Sequence, residues 1–130
     1  MARMHQEDMA LLKALVVVAW SDGNFADVER EAIDGLLAAY DATETEKAEL
    51  YEFAKEKRGL EDINLQDLSA ADRRVLLQHA VLVTYCEKHP SDTQVAFLDQ
   101  LAARVKVPAD EAKHVMSAAK ERVQKLLHLI

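Results

Sequence analysis

Apolar residues recur at helical spacing along the first half of this chain. The first series predicts a helix over about residues 5–21, because its members lie three or four positions apart: Leu11, Leu12, Leu15, Val16, Val18 and Ala19. A second series with this spacing predicts a helix over about residues 27–40. Thr43 and Glu46 have the spacing of a capping box, which predicts a third helix that ends near Gly59.

The second half predicts further helices and no strand. A fourth helix is expected to begin after Ser69, and it should be the central buried helix because residues 75–86 include no formally charged side chain. Pro90 ends that helix, and a fifth follows over about residues 91–105. Pro108 marks the start of the last helix, since proline is favoured in the first helical turn.

The two halves of the sequence also match each other. When the numbering is shifted by 65, residues 10–57 align with residues 75–122 without a gap. Matched positions share their chemical character: Leu11 with Leu76, Val16 with Val81, Trp20 with Tyr85, Asp27 with Asp92, Asp34 with Asp99, Leu36 with Leu101 and Glu46 with Glu111. We therefore expect an all-α fold with one monomeric domain over residues 1–130. It is a compact bundle of two pseudo-repeated three-helix units, at about 5–58 and 69–128, joined by a linker at 59–68.

Composition supports the helical interpretation and narrows the class of partner. Only three glycines and two prolines occur among 130 residues, and half of the chain is hydrophobic. The net charge of −7 argues against nucleic acid as a ligand and disfavours anionic membrane surfaces. Cys86 is the only cysteine, so no intramolecular disulfide can form. The N-terminal segment lacks a secretory pattern and its apolar run is too short to span a bilayer, so we expect a cytoplasmic protein without direct membrane insertion.

The turn after the first helix contains the main candidate for metal chemistry. Its sequence, "DGNFADVE" at residues 22–29, matches the second half of an EF-hand loop, in which a glycine permits the turn and a final glutamate binds calcium. Apolar side chains stand where the first half of such a loop needs oxygen ligands, which excludes a high-affinity calcium loop. A weak Ca²⁺ or Mg²⁺ site that shares Asp22, Asp27 and Glu29 remains open. The alternative is a left-handed turn at Gly23 followed by a helix with an acidic first turn.

Two segments resemble a known family. "AWSDGNFADVEREAI" at residues 19–33 is similar to the turn of the TerB-like proteins, and residues 80–115 are similar to the second half of that family. The family includes bacterial tellurite-resistance proteins and an accessory domain of a membrane-anchored co-chaperone. The resemblance implies an all-helical bundle with internal pseudo-twofold symmetry. It also implies a divalent-metal site at the acidic turn residues.

The second half departs from the family pattern. Glu87-Lys88 replaces the Asp-Gly pair, Gln94 replaces the glutamate, and Lys88 would repel a cation beside Glu87. The first turn is therefore expected to hold most of any site, with Glu87, His89 or Asp92 as ligands lent by the second. The predicted metal ligands are Asp22, Asp27, Glu29, Glu87 and Asp92, of which the first three are favoured.

The remaining residues of types that can bind metals or act in catalysis are better explained by structural roles. Glu111 and His114 have the E-x-x-H spacing of di-iron helix bundles, but no second such pair occurs, so the spacing is read as a surface coincidence. His79 lies within the apolar fourth helix and is expected in the core or in a groove. Trp20 and Tyr85 are expected to be core residues beside the two turns. No phosphate-binding or catalytic motif occurs in the sequence.

The residues and the resemblance together predict a non-enzymatic, TerB-like cytoplasmic protein associated with stress response or tellurite resistance. It would dock an unidentified protein partner and bind a divalent cation weakly. The alternative is a metal-free helical interaction module, as in a co-chaperone's accessory domain. A metal-dependent enzyme that uses the acidic turn is the least favoured hypothesis.

Overall fold

The structure, a computed structural model, describes residues 6–21, 27–85 and 90–128. In these ranges the predicted all-α class is confirmed, and no strand occurs. The helices are α1 (Gln6–Ala19), α2 (Asp27–Ala39), α3 (Glu44–Ala54), α4 (Ala70–Tyr85), α5 (Asp92–Arg104) and α6 (Ala109–His128). Gly23, Asp22, Cys86, Glu87, Lys88 and His89 lie outside the described residues, so the predictions made for them are not addressed.

Local capping chemistry explains why several helices begin where they do. Three pairs of residues form reciprocal caps: Thr43 with Glu46, Ser69 with Asp72, and Ser91 with Gln94. In each pair the hydroxyl oxygen of the first residue accepts a hydrogen bond from the backbone N–H of the second. The side-chain oxygen of the second residue accepts one from the backbone N–H of the first. Each cap is worth about 1 kcal/mol of stability. The helix starts predicted from these pairs are confirmed.

Helix α3 ends at Ala54 rather than near Gly59, so its predicted end is wrong. The Lys55 N–H donates to the carbonyl of Glu52, and the Arg58 Nε donates to the carbonyl of Phe53 at 2.8 Å. The Arg58 guanidinium also lies 4.1 Å from the centre of the Phe53 ring. These donors bind carbonyl groups at the end of α3 that would accept from later backbone N–H groups if the helix continued.

Helices α1 and α4 form the centre of the described structure. Along α1 nearly every side chain after Met9 is buried, and α1 contacts α2, α3 and α4. Helix α4 contacts α1, α5 and α6, with buried residues Leu76, Leu77, Ala80, Val81, Val83, Thr84 and Tyr85. A helix that is apolar on most of its circumference has to be enclosed by others. The predicted central position of the fourth helix is confirmed.

The linker between the halves is ordered by arginine side chains. It contains two 3₁₀ turns, Leu60–Asp62 and Leu65–Asp67. Arg73 on α4 donates to the carbonyls of Leu65, Leu68 and Val105 at 2.8, 3.1 and 3.1 Å. The Arg104 Nε donates to the carbonyl of Leu60 at 3.0 Å. The linker is therefore fixed against both α4 and α5.

Several backbone features recur with the spacing of 65 found in the sequence. Helices α2 and α5 begin 65 positions apart, and so do α3 and α6. Among the described non-glycine residues, Asp41 (φ 56°) and Lys106 (φ 59°) have positive φ, and they too are 65 apart. In each case the next N–H donates to a carbonyl five residues earlier, at 3.0 Å from Ala42 and 3.3 Å from Val107. Both helices thus end in a Schellman motif.

Helices α3 and α6 run parallel to the central helices they cover. Lys13 on α1 pairs with Glu49 on α3 at 3.0 Å, and farther along the Trp20 Nε1 donates to the carbonyl of Ala54 at 3.1 Å. In the second half Arg74 pairs with Glu111, and Lys120 lies over the Tyr85 ring. Because α1 and α3 are in contact near both of their ends, and α4 and α6 are as well, the two helices of each pair run in the same direction. Tyr85 is buried and Trp20 is half-buried against the core.

Candidate functional site

The described carboxylates of the predicted metal site differ in their exposure to solvent. Asp27 is the first residue of α2 and is exposed, whereas Glu29 is only 1% exposed. Residues two apart on a helix point in different directions, which accounts for this contrast. Asp92, the first residue of α5, is also exposed. Among the described residues no group of three or more His, Cys, Asp or Glu side chains could hold a metal ion.

The burial of Glu29 matches that of two capping residues. Glu29, Glu46 and Gln94 are each the third residue of a helix, and all three are buried. Glu46 and Gln94 complete capping boxes from this position. Gln94 stands 65 positions after Glu29, so the fold accommodates a neutral amide at the corresponding place. The same capping role at the start of α2 would account for the burial of Glu29 without a cation.

The other titratable residues considered as site candidates either contact a neighbouring side chain or are exposed to solvent. Arg74 donates to the Glu111 carboxylate, and this hydrogen bond lowers the pKa of Glu111 and raises the pKa of Arg74. His114 is exposed, as the interpretation of the E-x-x-H spacing as a surface coincidence requires. His79 is half-buried, and its ring meets Tyr40 edge to face at 6.5 Å. Burial lowers the pKa of His79, so the imidazole is neutral at pH 7.

A concave surface between α5 and α6 was not found from the sequence. We name it the α5–α6 groove, and its volume is about 550 Å³. Its base is formed by buried side chains of α4, α5 and α6: Val81, Tyr85, Leu98, Ala102 and Ala112, with half-buried Met116. Such a volume is in the range of about 300–1,000 Å³ that ligand sites usually have. The α5–α6 groove is thus a candidate binding site.

Exposed residues of two helices form the edges of the α5–α6 groove. Val95, Asp99 and Ala103 line it from α5. Lys113, Ser117 and Lys120 line it from α6. The Lys120 Nζ lies 5.1 Å from the centre of the Tyr85 ring, so cation–π attraction holds this ammonium group at the edge.

The 65-residue shift supplies a signal for this groove that sequence reasoning did not use. Several lining positions carry side chains smaller or more apolar than their counterparts in the first half, among them Val95 for Arg30, Ala102 for Leu37, Ala112 for Lys47 and Met116 for Tyr51. At Lys113, which stands for Ala48, the side chain is larger. In the first half the Arg30 guanidinium lies over the Tyr51 ring, 4.9 Å from its centre. The substitutions in the second half therefore remove side-chain volume where the α5–α6 groove lies.

Comparison with known proteins yields no match: no family model, no curated protein and no solved structure matches this chain. The TerB-like resemblance therefore stays a prediction. In the described part of the chain, no helix has both the length and the apolar character that a membrane crossing requires.

Proposed function

We propose that this chain is a non-enzymatic TerB-like cytoplasmic module that docks another protein through the α5–α6 groove. The observation that supports this function is the groove itself, which is concave, largely apolar in its lining and open at the surface. Val95 at its edge is 38% exposed, an unusual exposure for a large hydrophobic side chain in this structure. Covering such a surface removes apolar area from water, which favours association.

The proposed framework consists of two related three-helix units that have diverged at the positions lining the α5–α6 groove. The helix starts and Schellman turns 65 residues apart support this relation. The first unit carries Arg30 stacked on Tyr51, and the second carries Val95 and Met116 at the corresponding positions. The first unit thus contributes to the stability of the fold, whereas the second unit also binds the partner protein. The association with stress response and tellurite resistance rests on the sequence resemblance alone.

Site-specific photocrosslinking in the source cell tests the docking function. A photoreactive amino acid at Val95 should give one recurrent protein adduct, because this exposed residue lies at the edge of the α5–α6 groove. Arg30 is the matched control, since both residues are exposed and each is the fourth of its helix. The adduct should be absent from position 30. Identical adducts at both positions, or none at position 95, would contradict docking at this groove.

A weak divalent-cation site at the first acidic turn is a second proposal, and Glu29 is the buried carboxylate on which it depends. Millimolar Ca²⁺ or Mg²⁺ is expected to raise the melting temperature, because an ion that binds only the folded state stabilises it. Affinity should be modest, in the range of roughly 10⁻⁴ to 10⁻³ M. The Asp22→Asn/Glu29→Gln variant should keep the fold, as Gln94 does at the matched position, and lose the shift.

Calorimetry with and without each ion measures this effect. A melting temperature that does not respond to either ion in the wild-type chain would refute the cation site. The metal-free interaction module would then be the remaining form of the proposed function.

A further inference from the structure

The charged residues of the α5–α6 groove are distributed unevenly between its two edges. Lys113 and Lys120 stand on the α6 edge, and Asp99 stands on the α5 edge. Seven residues on a helix make two turns, so the lysines are separated by about 10 Å along the axis of α6. Neither lysine forms an ion pair within the part of the chain that the structure describes. Two cationic groups with this spacing are therefore available to an occupant.

The residues at the edges of the groove follow the helical spacing of α5 and α6. Residues three, four and seven apart lie on one face of a helix, and each edge is such a row: Val95, Asp99 and Ala103 on α5, and Lys113, Ser117 and Lys120 on α6. From Ala109 to Lys120 the α6 edge extends for about 16 Å, which is about three helical turns. An amphipathic helix laid between two such rows buries its apolar face against the base.

We propose that the occupant of the α5–α6 groove is an amphipathic helix of a partner protein, with acidic side chains seven residues apart that pair with Lys113 and Lys120. This inference rests on the proposed docking function and specifies its partner. The lysines select against a basic helix, although the whole chain carries a net charge of −7 and would attract one at long range. The two lysines thus favour an acidic helix, whereas the net charge of the whole chain favours a basic one. The two effects predict opposite preferences, which a binding measurement can distinguish.

Two synthetic peptides of about 16 residues, a length at which an isolated helix begins to be stable, test the charge pattern. Both have the same apolar face and neutral remaining positions, and they differ only in two Glu or two Lys seven residues apart on one edge. We expect the Glu peptide to bind the wild-type chain at least about tenfold more tightly than the Lys peptide. The Lys113→Glu/Lys120→Glu variant should reverse this order, and added salt should reduce both preferences.

A second variant tests the location of binding. Val95→Arg/Met116→Tyr introduces the pair that lies on the first half as Arg30 over Tyr51. It should keep the wild-type melting temperature, because Val95 is exposed and Met116 is only half-buried, and it should abolish binding of the Glu peptide. Unchanged peptide binding by this variant would overturn the proposal.

Other outcomes also decide the question. Preference of the wild-type chain for the Lys peptide, or no binding of either peptide below about 1 mM, would overturn the proposal. A dimer that the Val95→Arg/Met116→Tyr variant abolishes would assign the groove to a second copy of the chain instead. A lipid retained in native mass spectrometry and lost in that variant would also overturn it. A position-95 adduct with a protein other than the chain itself would leave the docking function standing, whereas an adduct with a second copy alone, or no adduct, would remove it as well.

Discussion

Leu77→Ala is expected to lower the free energy of unfolding by about 2–5 kcal/mol, the range for truncating a buried leucine. Leu77 is fully buried on α4, and this helix is packed against α1, α5 and α6. Because several helices surround the site, it cannot collapse around the cavity without moving their backbones. Urea unfolding of the variant and the wild-type chain measures the loss.

The control for this substitution is a leucine at the surface. Leu126 is 57% exposed, so Leu126→Ala should change the free energy of unfolding by less than about 0.5 kcal/mol. Equal losses in the two variants would contradict the central position of α4.

Arg73→Ala is expected to lower the free energy of unfolding by about 2–4 kcal/mol, because charged hydrogen bonds contribute about 1.5–3 kcal/mol each and this side chain is partly exposed. The guanidinium donates to three carbonyls of the linker and of the residue after α5: Leu65, Leu68 and Val105. Without it these carbonyls lose a donor, and the linker loses its attachment to α4. Thermal and urea unfolding measure the effect.

The neighbouring arginine provides the matched control. Arg74 pairs with Glu111 at the surface, so Arg74→Ala should have little effect on stability. Arg73→Lys should lose most of what Arg73→Ala loses, because a lysine ammonium cannot reproduce the fork of a guanidinium. Full stability in Arg73→Lys would show that the charge matters and the three-way geometry does not.

The sequence predicts the features of this fold that depend on neighbours along the chain. The capping pairs Thr43–Glu46, Ser69–Asp72 and Ser91–Gln94 are recognisable because both partners lie within one helical turn. The uncharged run in α4 likewise predicts its burial without reference to any other segment. The helical class and the starts of these helices could therefore be predicted from residues that are close together in the sequence.

Features that depend on contacts beyond one helical turn were missed. The early end of α3 depends on the return of Arg58 to Phe53, and the attachment of the linker to α5 depends on Arg104 reaching Leu60, 44 residues away. The α5–α6 groove requires the relative positions of three helices, which no periodicity specifies. The predicted metal residues were chosen by spacing, which did not show that Glu29 is buried while Asp27 is exposed.

The most direct test of the docking account is a calorimetric titration with the purified protein that crosslinks at Val95. That protein is titrated into the wild-type chain and into the Val95→Arg/Met116→Tyr variant, after both chains have been shown to melt at the same temperature. The account predicts saturable binding to the wild-type chain and no detectable binding to the variant, because the added side chains occupy the α5–α6 groove. Equal affinity for the two chains would contradict it.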